Sequence, residues 1–278
     1  MRIWGCRGSL ATPGPQTLRY GGNTSCVGIE LADGTVVVLD AGTGIRGLGL
    51  ELARAGARTI HLCLTHLHLD HIEGLGFFTP LHDPEAEVHI WGPRSAVRSL
   101  DQRLARYLSA PLFPLELVEF PARLVFHDVP SRPWRIGSAL ITVVRVSHPG
   151  PTLGYRVEEE GAALAYIPDH EPALGVSLER LTTDWISGFA LAEGAAVLLH
   201  DSRYFEEQYP AHLGWGHSSV AHAVAFARRA GAGRLVLFHH DPGHSEQALG
   251  ILEERARELW QDGGPPPELA YEGMEIGL

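Results

Sequence analysis

The sequence predicts an α/β fold, in which short buried strands alternate with amphipathic helices. Apolar runs of strand length, such as residues 60–64 and 235–238, are separated by longer segments with helical periodicity. At least five of the predicted strands end in a histidine or an aspartate. Open α/β sheets bind their ligands at the carboxyl ends of the strands. We therefore expect the functional residues to gather along one edge of a sheet.

The length and composition are those of a globular protein. The chain has 278 residues, 45% of them hydrophobic, which suits one large α/β domain or two small ones. No apolar run approaches the roughly 18 residues of a membrane span, so no membrane partner is expected. The N-terminus enters a strand-like segment without the apolar core of a signal peptide, which predicts a cytoplasmic protein. Cys6, Cys26 and Cys63 lie among apolar or small residues, which is typical of buried reduced thiols.

The charge of the chain excludes several classes of function. Its net charge is −11, whereas surfaces that bind nucleic acid duplexes usually carry a basic excess. The chain contains 22 arginines and no lysine. A chain without lysine forms no Schiff base and has no lysine to act as a general base.

The first half of the chain is predicted to supply six strands. A long Gly/Pro/Thr loop at residues 7–23 follows the first of them, and loops of this length in compact domains are often functional. Helices are predicted up to residue 55, from residue 71 to 76 and over residues 95–109. The strands are predicted at residues 2–6, 26–31, 36–39, 60–64, 87–91 and 123–127.

The turn at residues 40–44, Asp-Ala-Gly-Thr-Gly, follows a buried strand and has three interpretations. Its backbone N–H groups could cradle a phosphate, although the full dinucleotide-binding pattern is absent. Its glycines could instead allow tight packing against a neighbouring loop. Asp40 could also orient a metal-bound histidine by accepting a hydrogen bond from the second ring nitrogen.

The second half of the chain repeats the alternation of strands and helices. Ser218 is the expected N-cap of a helix that ends near residue 230, and a further helix is predicted over residues 244–260. Residues 171–194 should hold a helix and loops. The strands are predicted at residues 134–136, 139–146, 153–157, 162–167, 195–199 and 235–238, with a short strand after a proline-rich turn near the C-terminus.

The densest group of polar residues follows the predicted strand 60–64 and reads Thr-His-Leu-His-Leu-Asp-His. His66 and His68 are two residues apart, so in an extended segment they point the same way and can share one ion. Asp70 and His71 lie past the bend and can serve a second ion. Imidazole and carboxylate are the ligands that zinc and similar metals prefer. A polar loop in a chain with 16 histidines is the alternative, but chance would scatter the histidines more widely.

Three further strand ends carry candidate ligands. His148 precedes a Pro-Gly-Pro turn, Asp169 is placed to bridge two ions, and His239 follows the strand 235–238. The isolated histidines are expected to be surface or hydrogen-bonded core residues, and these are His61, His82, His89 and His127. Seven residues stand out as metal ligands: His66, His68, Asp70, His71, His148, Asp169 and His239.

These residues, preceded by Asp40, resemble the metallo-β-lactamase superfamily in their order along nearly the whole chain. The resemblance implies a four-layer αββα sandwich, and a single hydrolase domain over residues 1–278. It also implies a site for two divalent ions at the sheet edge, with zinc expected first and manganese as the alternative. One ion would take His66, His68 and His148, the other Asp70, His71 and His239, and Asp169 would bridge them.

The chain looks most like the phosphodiesterase branch, which includes ribonuclease Z and the cyclic-phosphate phosphodiesterases. Four stretches carry this closer likeness, namely residues 23–25, 200–202, 216–219 and 237–239. In that branch the histidine that matches His217 acts on the scissile phosphate as an acid or charge stabiliser, and an acidic residue like Asp201 holds it. Asp70 counts among the catalytic residues, and His200 among those that support the site or the substrate.

The resemblance also places the N-terminal loop beside the metals. Arg7, Ser9 and Asn23 would then contact the substrate. For Asn23 an equal alternative is that it only stabilises the turn after Gly21 and Gly22.

The implied reaction is attack of a metal-bound hydroxide on a phosphodiester, because paired ions lower the pKa of water. Ribonuclease Z carries a long arm for transfer RNA between the positions matching His148 and Asp169, and here that segment has room for only one hairpin. We therefore expect a small phosphodiester substrate, with a cyclic nucleotide as the first candidate, and no large nucleic acid. A homodimer stays open.

Two other functions remain to be weighed. A lactonase or other carboxylic-ester hydrolase of the same fold would use the same metals, but more often shows a tyrosine where His217 stands. A metal-binding protein without turnover is the second alternative, and the complete ligand set argues against it.

Overall fold

The computed structural model describes residues 1–260 and 264–277, and it consists of two mixed sheets that pack face to face with helices on both outer faces. This architecture confirms the predicted αββα sandwich. Residues 261–263 and residue 278 of the domain predicted over 1–278 lie outside the described residues. In the described part of the chain, no helix is long and apolar enough to cross a membrane.

The first sheet contains six strands in chain order. Its first three strands are antiparallel, and β3 to β6 run parallel. The carboxyl ends of β3 to β6 therefore meet at one edge. The strands are β1 (Arg2–Gly5), β2 (Cys26–Glu30), β3 (Val36–Leu39), β4 (Thr59–Cys63), β5 (Glu87–Gly92) and β6 (Arg123–Asp128).

The second sheet has seven strands in the order β13-β12-β11-β10-β9-β8-β7. Strands β7 to β10 form an antiparallel meander, and β10 to β13 run parallel. The strands are β7 (Trp134–Ile136), β8 (Ala139–Arg145), β9 (Leu153–Glu159), β10 (Ala162–Ile167), β11 (Val197–Asp201), β12 (Leu235–Phe238) and β13 (Glu268–Leu269).

Within the described residues, five α-helices cover the outer faces, and short 3₁₀ turns fill many connections. The helices are α1 (Ile45–Ala55), α2 (Leu100–Leu104), α3 (Phe189–Ala192), α4 (Val220–Ala230) and α5 (Glu246–Leu259). The 3₁₀ helices are Pro15–Thr17, Leu69–His71, Leu75–Phe77, Thr79–His82, Leu117–Glu119, Leu178–Arg180, Thr183–Trp185 and Tyr209–His212.

The central strands are buried on both faces, which explains why β3 and β12 are apolar throughout. In β4, Ile60 and Leu62 pack under the helices of the first sheet, while Cys63 lies with Leu39 in the core between the sheets, in one cluster with Tyr155 of the second sheet. Strands buried on two sides read as continuous apolar runs. The three cysteines are free and buried, as expected.

Two helix predictions need correction. The helix expected over 95–109 is only α2, because the Oγ of Ser95 accepts the N–H of Val97 (3.2 Å) and forms a turn. Its start is fixed at Leu100, since the Gln102 side chain accepts the N–H of Ser99 (3.3 Å). The helix expected over 71–76 is instead two separate 3₁₀ turns.

The N-cap of α4 is also one residue later than predicted. Ser219 accepts the N–H of His222 (3.2 Å) and caps the helix. Ser218 is engaged elsewhere, since its N–H donates to Asp201 (3.1 Å) and its hydroxyl donates to the carbonyl of His170 (2.7 Å).

Candidate metal centre and active site

The structure brings the seven predicted ligands together where strand ends of both sheets meet. One group, here called the first ligand group, has donor atoms within 4.8 Å of one another and consists of His66, His68 and His148. The second ligand group meets the same limit and consists of Asp70, His71, Asp169 and His239. The loops after β4, β8, β10 and β12 supply these residues. Strands β4, β10 and β12 have parallel neighbours, and β8 runs in the same direction as β10 because β9 is antiparallel to both, so their carboxyl ends reach this edge.

Asp169 lies between the two ligand groups. Its Oδ1 is 3.9 Å from His66 Nε2 and 3.8 Å from His148 Nε2. The same oxygen is 3.3 Å from His239 Nε2, while Oδ2 is 3.0 Å from His71 Nε2. A carboxylate in this position can contact an ion in either group.

Hydrogen bonds at the far nitrogen of the ring orient several histidines toward the cluster. The Nδ1–H of His71 donates to Asp40 (2.8 Å), and that of His148 donates to the carbonyl of Gly216 (2.9 Å). His66 Nδ1 lies 3.0 Å from the hydroxyl of Thr65. Such contacts fix the ring so that Nε2 presents its lone pair to a metal.

Buried atoms without partners show that this pocket fits a cation. His66 Nε2, His71 Nε2 and Asp169 Oδ2 are all buried and form no hydrogen bond. A buried polar atom left without a partner costs about 1–3 kcal/mol. The 3.0 Å approach of His71 to Asp169 without hydrogen-bond geometry is what two ligands of one ion would show. The nitrogen and oxygen donors suit zinc or a similar divalent ion.

Burial and charge favour metal-binding protonation states in the first ligand group and in both aspartates. His71 is the exception, because burial lowers its pKa but the carboxylates of Asp169, Asp70 and Asp40 outweigh burial and raise that pKa above its ordinary value. Burial lowers the pKa of every histidine in the first ligand group, so these rings are neutral at pH 7. Burial alone would raise the pKa of the Asp169 carboxyl, but the neighbouring histidines outweigh it and hold that pKa below its ordinary range. Burial acts against Asp70 in the same way, and His71 and His239 lower its pKa.

Asp40 orients His71 of the second ligand group through a hydrogen bond to its ring. Besides the ring of His71, its carboxylate accepts the backbone N–H of Thr65 (2.7 Å) and the hydroxyl of Tyr166 (3.0 Å). The glycine turn after it serves tight packing, because a Cβ on Gly42 would lie 2.4 Å from the carbonyl oxygen of Asp70. Of the three interpretations of this turn, the contacts favour the orienting carboxylate and the close packing of loops.

His217 and Asp201 form a buried pair beside the ligand groups. The Nδ1–H of His217 donates to Asp201 Oδ2 (2.6 Å). The His217 ring stacks 5.0 Å from His239 and lies 5.1 Å from His148, centroid to centroid. Burial lowers the pKa of His217, but the charge of Asp201 outweighs burial and raises that pKa above its ordinary value.

The N-terminal loop residues have different surroundings. The Ser9 backbone N–H donates to Asp70 Oδ2 (2.6 Å), which places Ser9 at the second ligand group. Arg7 is fully buried, and its guanidinium donates to the carbonyls of Gly21 (3.0 Å), Asp241 (3.2 Å) and His244 (3.1 Å). Arg7 therefore braces the loop and is not exposed to a substrate.

Two other predicted residues also have structural partners. The Asn23 side chain donates to Glu272 (2.9 Å), which favours its turn-stabilising alternative. His200 is fully buried, with Nε2 2.8 Å from His170 Nδ1 and Nδ1 donating to the carbonyl of Asp201 (2.7 Å). It supports Asp201 through the end of β11 and does not reach the cluster of ligands.

Arg203 is a residue of this site that the sequence patterns did not indicate. Its Nη1 donates to Ser9 Oγ (2.6 Å) and lies 3.3 Å from His217 Nε2. Its Nε donates to the carboxylate of Asp241 (2.8 Å). The available signal was its position directly after residues 200–202, where a strand ends at the site.

Comparisons with known proteins agree with this geometry. Residues 35–240 match the family described as "Beta-lactamase superfamily domain". Ribonuclease Z of Mycobacterium avium is 31% identical, over 90% of this chain and 93% of that protein. Ribonuclease Z of Mycobacterium marinum is 29% identical, over 83% of this chain and 84% of that protein.

The fold itself recurs in a solved structure. The metallo-beta-lactamase fold protein YhfI from Bacillus subtilis superposes with a TM-score of 0.69 at 18% identity, over 98% of this chain and 96% of that one. The chain therefore belongs to the beta-lactamase superfamily, in its ribonuclease Z-related branch of metal-dependent hydrolases.

Proposed function

We propose that this protein is a phosphodiesterase that uses two divalent metal ions and acts on small phosphodiesters, with cyclic nucleotides as the first candidates. One observation carries the proposal: an acid–carboxylate pair, His217 and Asp201, lies beside two groups of metal ligands. Hydrolysis of an alkyl phosphodiester needs both positive charge on the phosphate and a proton for the leaving oxygen.

The residues of the chain have distinct roles in this proposal. The first ligand group would hold one ion, and Asp169 would contact both ions. The other ion would be held by the remaining members of the second ligand group, Asp70, His71 and His239. Bound there, two zinc or manganese ions supply charge neutralisation and activation of water near neutral pH.

His217 supplies the proton to the leaving group. Its Nδ1–H is committed to Asp201, so Nε2 is the ring atom that can protonate a leaving alkoxide. The carboxylate of Asp201 stabilises the protonated ring and keeps it oriented, because it also accepts the N–H of Ser218 (3.1 Å). General acid catalysis of this kind contributes roughly 10²–10⁴-fold.

The size of the substrate is inferred from the connection between His148 and Asp169. Strands β9 and β10 form a hairpin there, and glutamates 158–160 lie at its end. An acidic hairpin in a chain of net charge −11 is a poor surface for a polyanion. The related ribonuclease Z proteins make RNA the rival substrate that an experiment must include.

The test is a comparison of substrates on one metal-loaded preparation. Hydrolysis rates would be measured on bis-p-nitrophenyl phosphate, a 2′,3′-cyclic nucleotide, a lactone and a transfer-RNA precursor. We expect turnover of the two small phosphodiesters, with little or none on the lactone and the precursor. Efficient trimming of the precursor would show that the short hairpin between His148 and Asp169 does not restrict the protein to small substrates. A preference for the lactone would contradict the phosphodiesterase assignment.

A further inference from the structure

Arg203 is a positive charge at the candidate site with a direct contact to His217. It follows β11, and its backbone N–H donates to Asp201 Oδ1 (3.0 Å). The same carboxylate accepts the Nδ1–H of His217 through its other oxygen. One buried carboxylate therefore positions both the proposed acid and the residue that carries the guanidinium.

The guanidinium is held in place on one side and free on the other. Its Nε donates to Asp241 (2.8 Å) and its Nη1 to Ser9 Oγ (2.6 Å). In the described part of the chain, Nη2 has no hydrogen-bond partner, and it is not among the fully buried atoms. A fixed guanidinium with an open edge is well suited to bind an oxyanion, because its N–H groups match the geometry of phosphate.

The contact between Arg203 and His217 leaves room for a shared acceptor when the His217 ring is protonated. Arginine is always a donor, and its Nη1 lies 3.3 Å from Nε2 of His217. In the acid role proposed for His217, Nε2 carries a proton, so two N–H donors would face each other. An anionic oxygen placed between them would accept from both.

We propose that Arg203 binds a non-bridging, negatively charged oxygen of the substrate phosphate and so selects anionic phosphoryl substrates over neutral esters. This inference rests on the proposed function, because it places the same phosphate beside His217. Arg7, at the start of the N-terminal loop, is buried among carbonyl groups and cannot substitute for Arg203. The neighbouring ion pair with Asp241 orients the charge before substrate arrives, which lowers the cost of binding.

The test compares Arg203→Gln and Arg203→Lys with a matched control, Arg255→Gln. Arg255 lies on the exposed face of α5, where it pairs with Glu258 (3.1 Å), and it makes the same change of charge away from the site. Binding of inorganic phosphate to the metal-loaded protein would be measured by isothermal titration calorimetry. Loss of a charged hydrogen bond should weaken phosphate binding by roughly 10–100-fold in Arg203→Gln. Arg203→Lys should show a smaller loss, and Arg255→Gln none.

Kinetics on two substrates separate binding from a structural role. Arg203→Gln should lower kcat/KM on bis-p-nitrophenyl phosphate, which is anionic, and leave kcat/KM on the neutral triester diethyl p-nitrophenyl phosphate nearly unchanged. Equal losses on both substrates, with phosphate affinity intact, would overturn the inference and make Arg203 only a brace for Ser9. If Arg203→Gln does not fold, Arg203→Met also removes the charge, and an unchanged phosphate affinity in that variant would equally overturn the inference.

The outcomes also separate this inference from the proposed function. If the wild-type protein binds phosphate through Arg203 but hydrolyses no phosphodiester, the anion site stands and the proposed function is wrong. If the wild-type protein hydrolyses phosphodiesters and Arg203→Gln keeps both its phosphate affinity and its kcat/KM, the function stands and the role of Arg203 is wrong.

Discussion

At the scale of single residues, the proposed chemistry depends on the Nε2 atom of His217. Asp201 fixes the opposite nitrogen at 2.6 Å and raises the pKa of the ring against the effect of burial. A raised pKa keeps more of the imidazole protonated near neutral pH, which is the state that a general acid needs. The rate on a substrate with a poor leaving group should therefore depend on this side chain.

The leaving group provides a direct test of His217. His217→Ala should lower turnover of an alkyl phosphodiester by roughly 10²–10⁴-fold, because an alkoxide cannot leave without a proton. The loss on a p-nitrophenyl ester should be much smaller, since that phenolate leaves unaided. Asp201→Asn should show a weaker loss in the same direction. Metal content by mass spectrometry is the control, and loss of an ion in His217→Ala would identify the histidine as a ligand instead.

Asn23 has the opposite expectation, a structural role without a catalytic one. Its side chain donates a partly buried hydrogen bond to the charged carboxylate of Glu272. Asn23→Ala should therefore lower the free energy of unfolding by about 1–2 kcal/mol. The kinetic constants should stay at wild-type values. Chemical denaturation and steady-state kinetics on the same preparation check both statements. A large fall in kcat with unchanged stability would place Asn23 against the substrate after all.

The residues that could be predicted from sequence are those whose chemistry is dense and local. His66, His68, Asp70 and His71 occur within six positions, and ligand atoms at strand ends follow from the α/β pattern. Arg203 could not be predicted this way, because its role depends on contacts with Ser9 and Asp241, which are distant in sequence. The sequence also could not show that Arg7 is turned inward.

At the scale of elements, the ends of β10 and β11 each combine an aspartate of the candidate site with a buried structural histidine. Asp169 and His170 follow β10, while His200 and Asp201 complete β11. His170 and His200 pair behind the site at 2.8 Å, and both are fully buried. Burial lowers the pKa of His200 to about 4, so the folded protein holds this ring neutral.

This pair should make the fold sensitive to mild acid. An unfolded histidine has a pKa of about 6.5, so between pH 6.5 and about 4 the unfolded chain binds a proton that folded His200 does not. The contribution of His200 to the free energy of unfolding is therefore complete above pH 6.5. As pH falls toward 4, the free energy of unfolding decreases by about 3 kcal/mol through this residue. Urea denaturation of chelator-treated protein at several pH values measures this, without interference from metal release. His200→Asn should show a shallower pH dependence than the wild type, and identical slopes would remove His200 as the cause.

Elements with continuous apolar runs were predicted well, whereas elements whose ends depend on side-chain hydrogen bonds were not. Strands buried on both faces, such as β3 and β12, lie at their predicted positions because their apolar runs are continuous. Helix α2 is far shorter than its amphipathic pattern suggested, because the Ser95 turn and the contacts of Gln102 decide its start. Competition between a side chain and the backbone for hydrogen bonds does not appear in hydrophobic periodicity.

At the scale of the whole molecule, the sandwich places ligands from both sheets at one edge. The first sheet supplies the residues after β4, and the second supplies those after β8, β10 and β12. The four-layer order was predicted from family resemblance, since strand patterns alone predict only an α/β class. Asp169 of the second sheet lies 3.0 Å from His71 and 3.9 Å from His66 of the first sheet, so it contacts residues from both sides of the candidate site.

The two-ion site is the central claim, and one titration tests it most directly. Metal-free protein would be titrated with Zn²⁺ or Mn²⁺, while native mass spectrometry counts bound ions and bis-p-nitrophenyl phosphate reports turnover in the same samples. Seven ligands exceed the four that a single tetrahedral ion uses, so we expect two ions per chain and activity that follows the two-ion species. Asp169→Ala should lose both ions together. Full activity with a single ion bound would contradict the account.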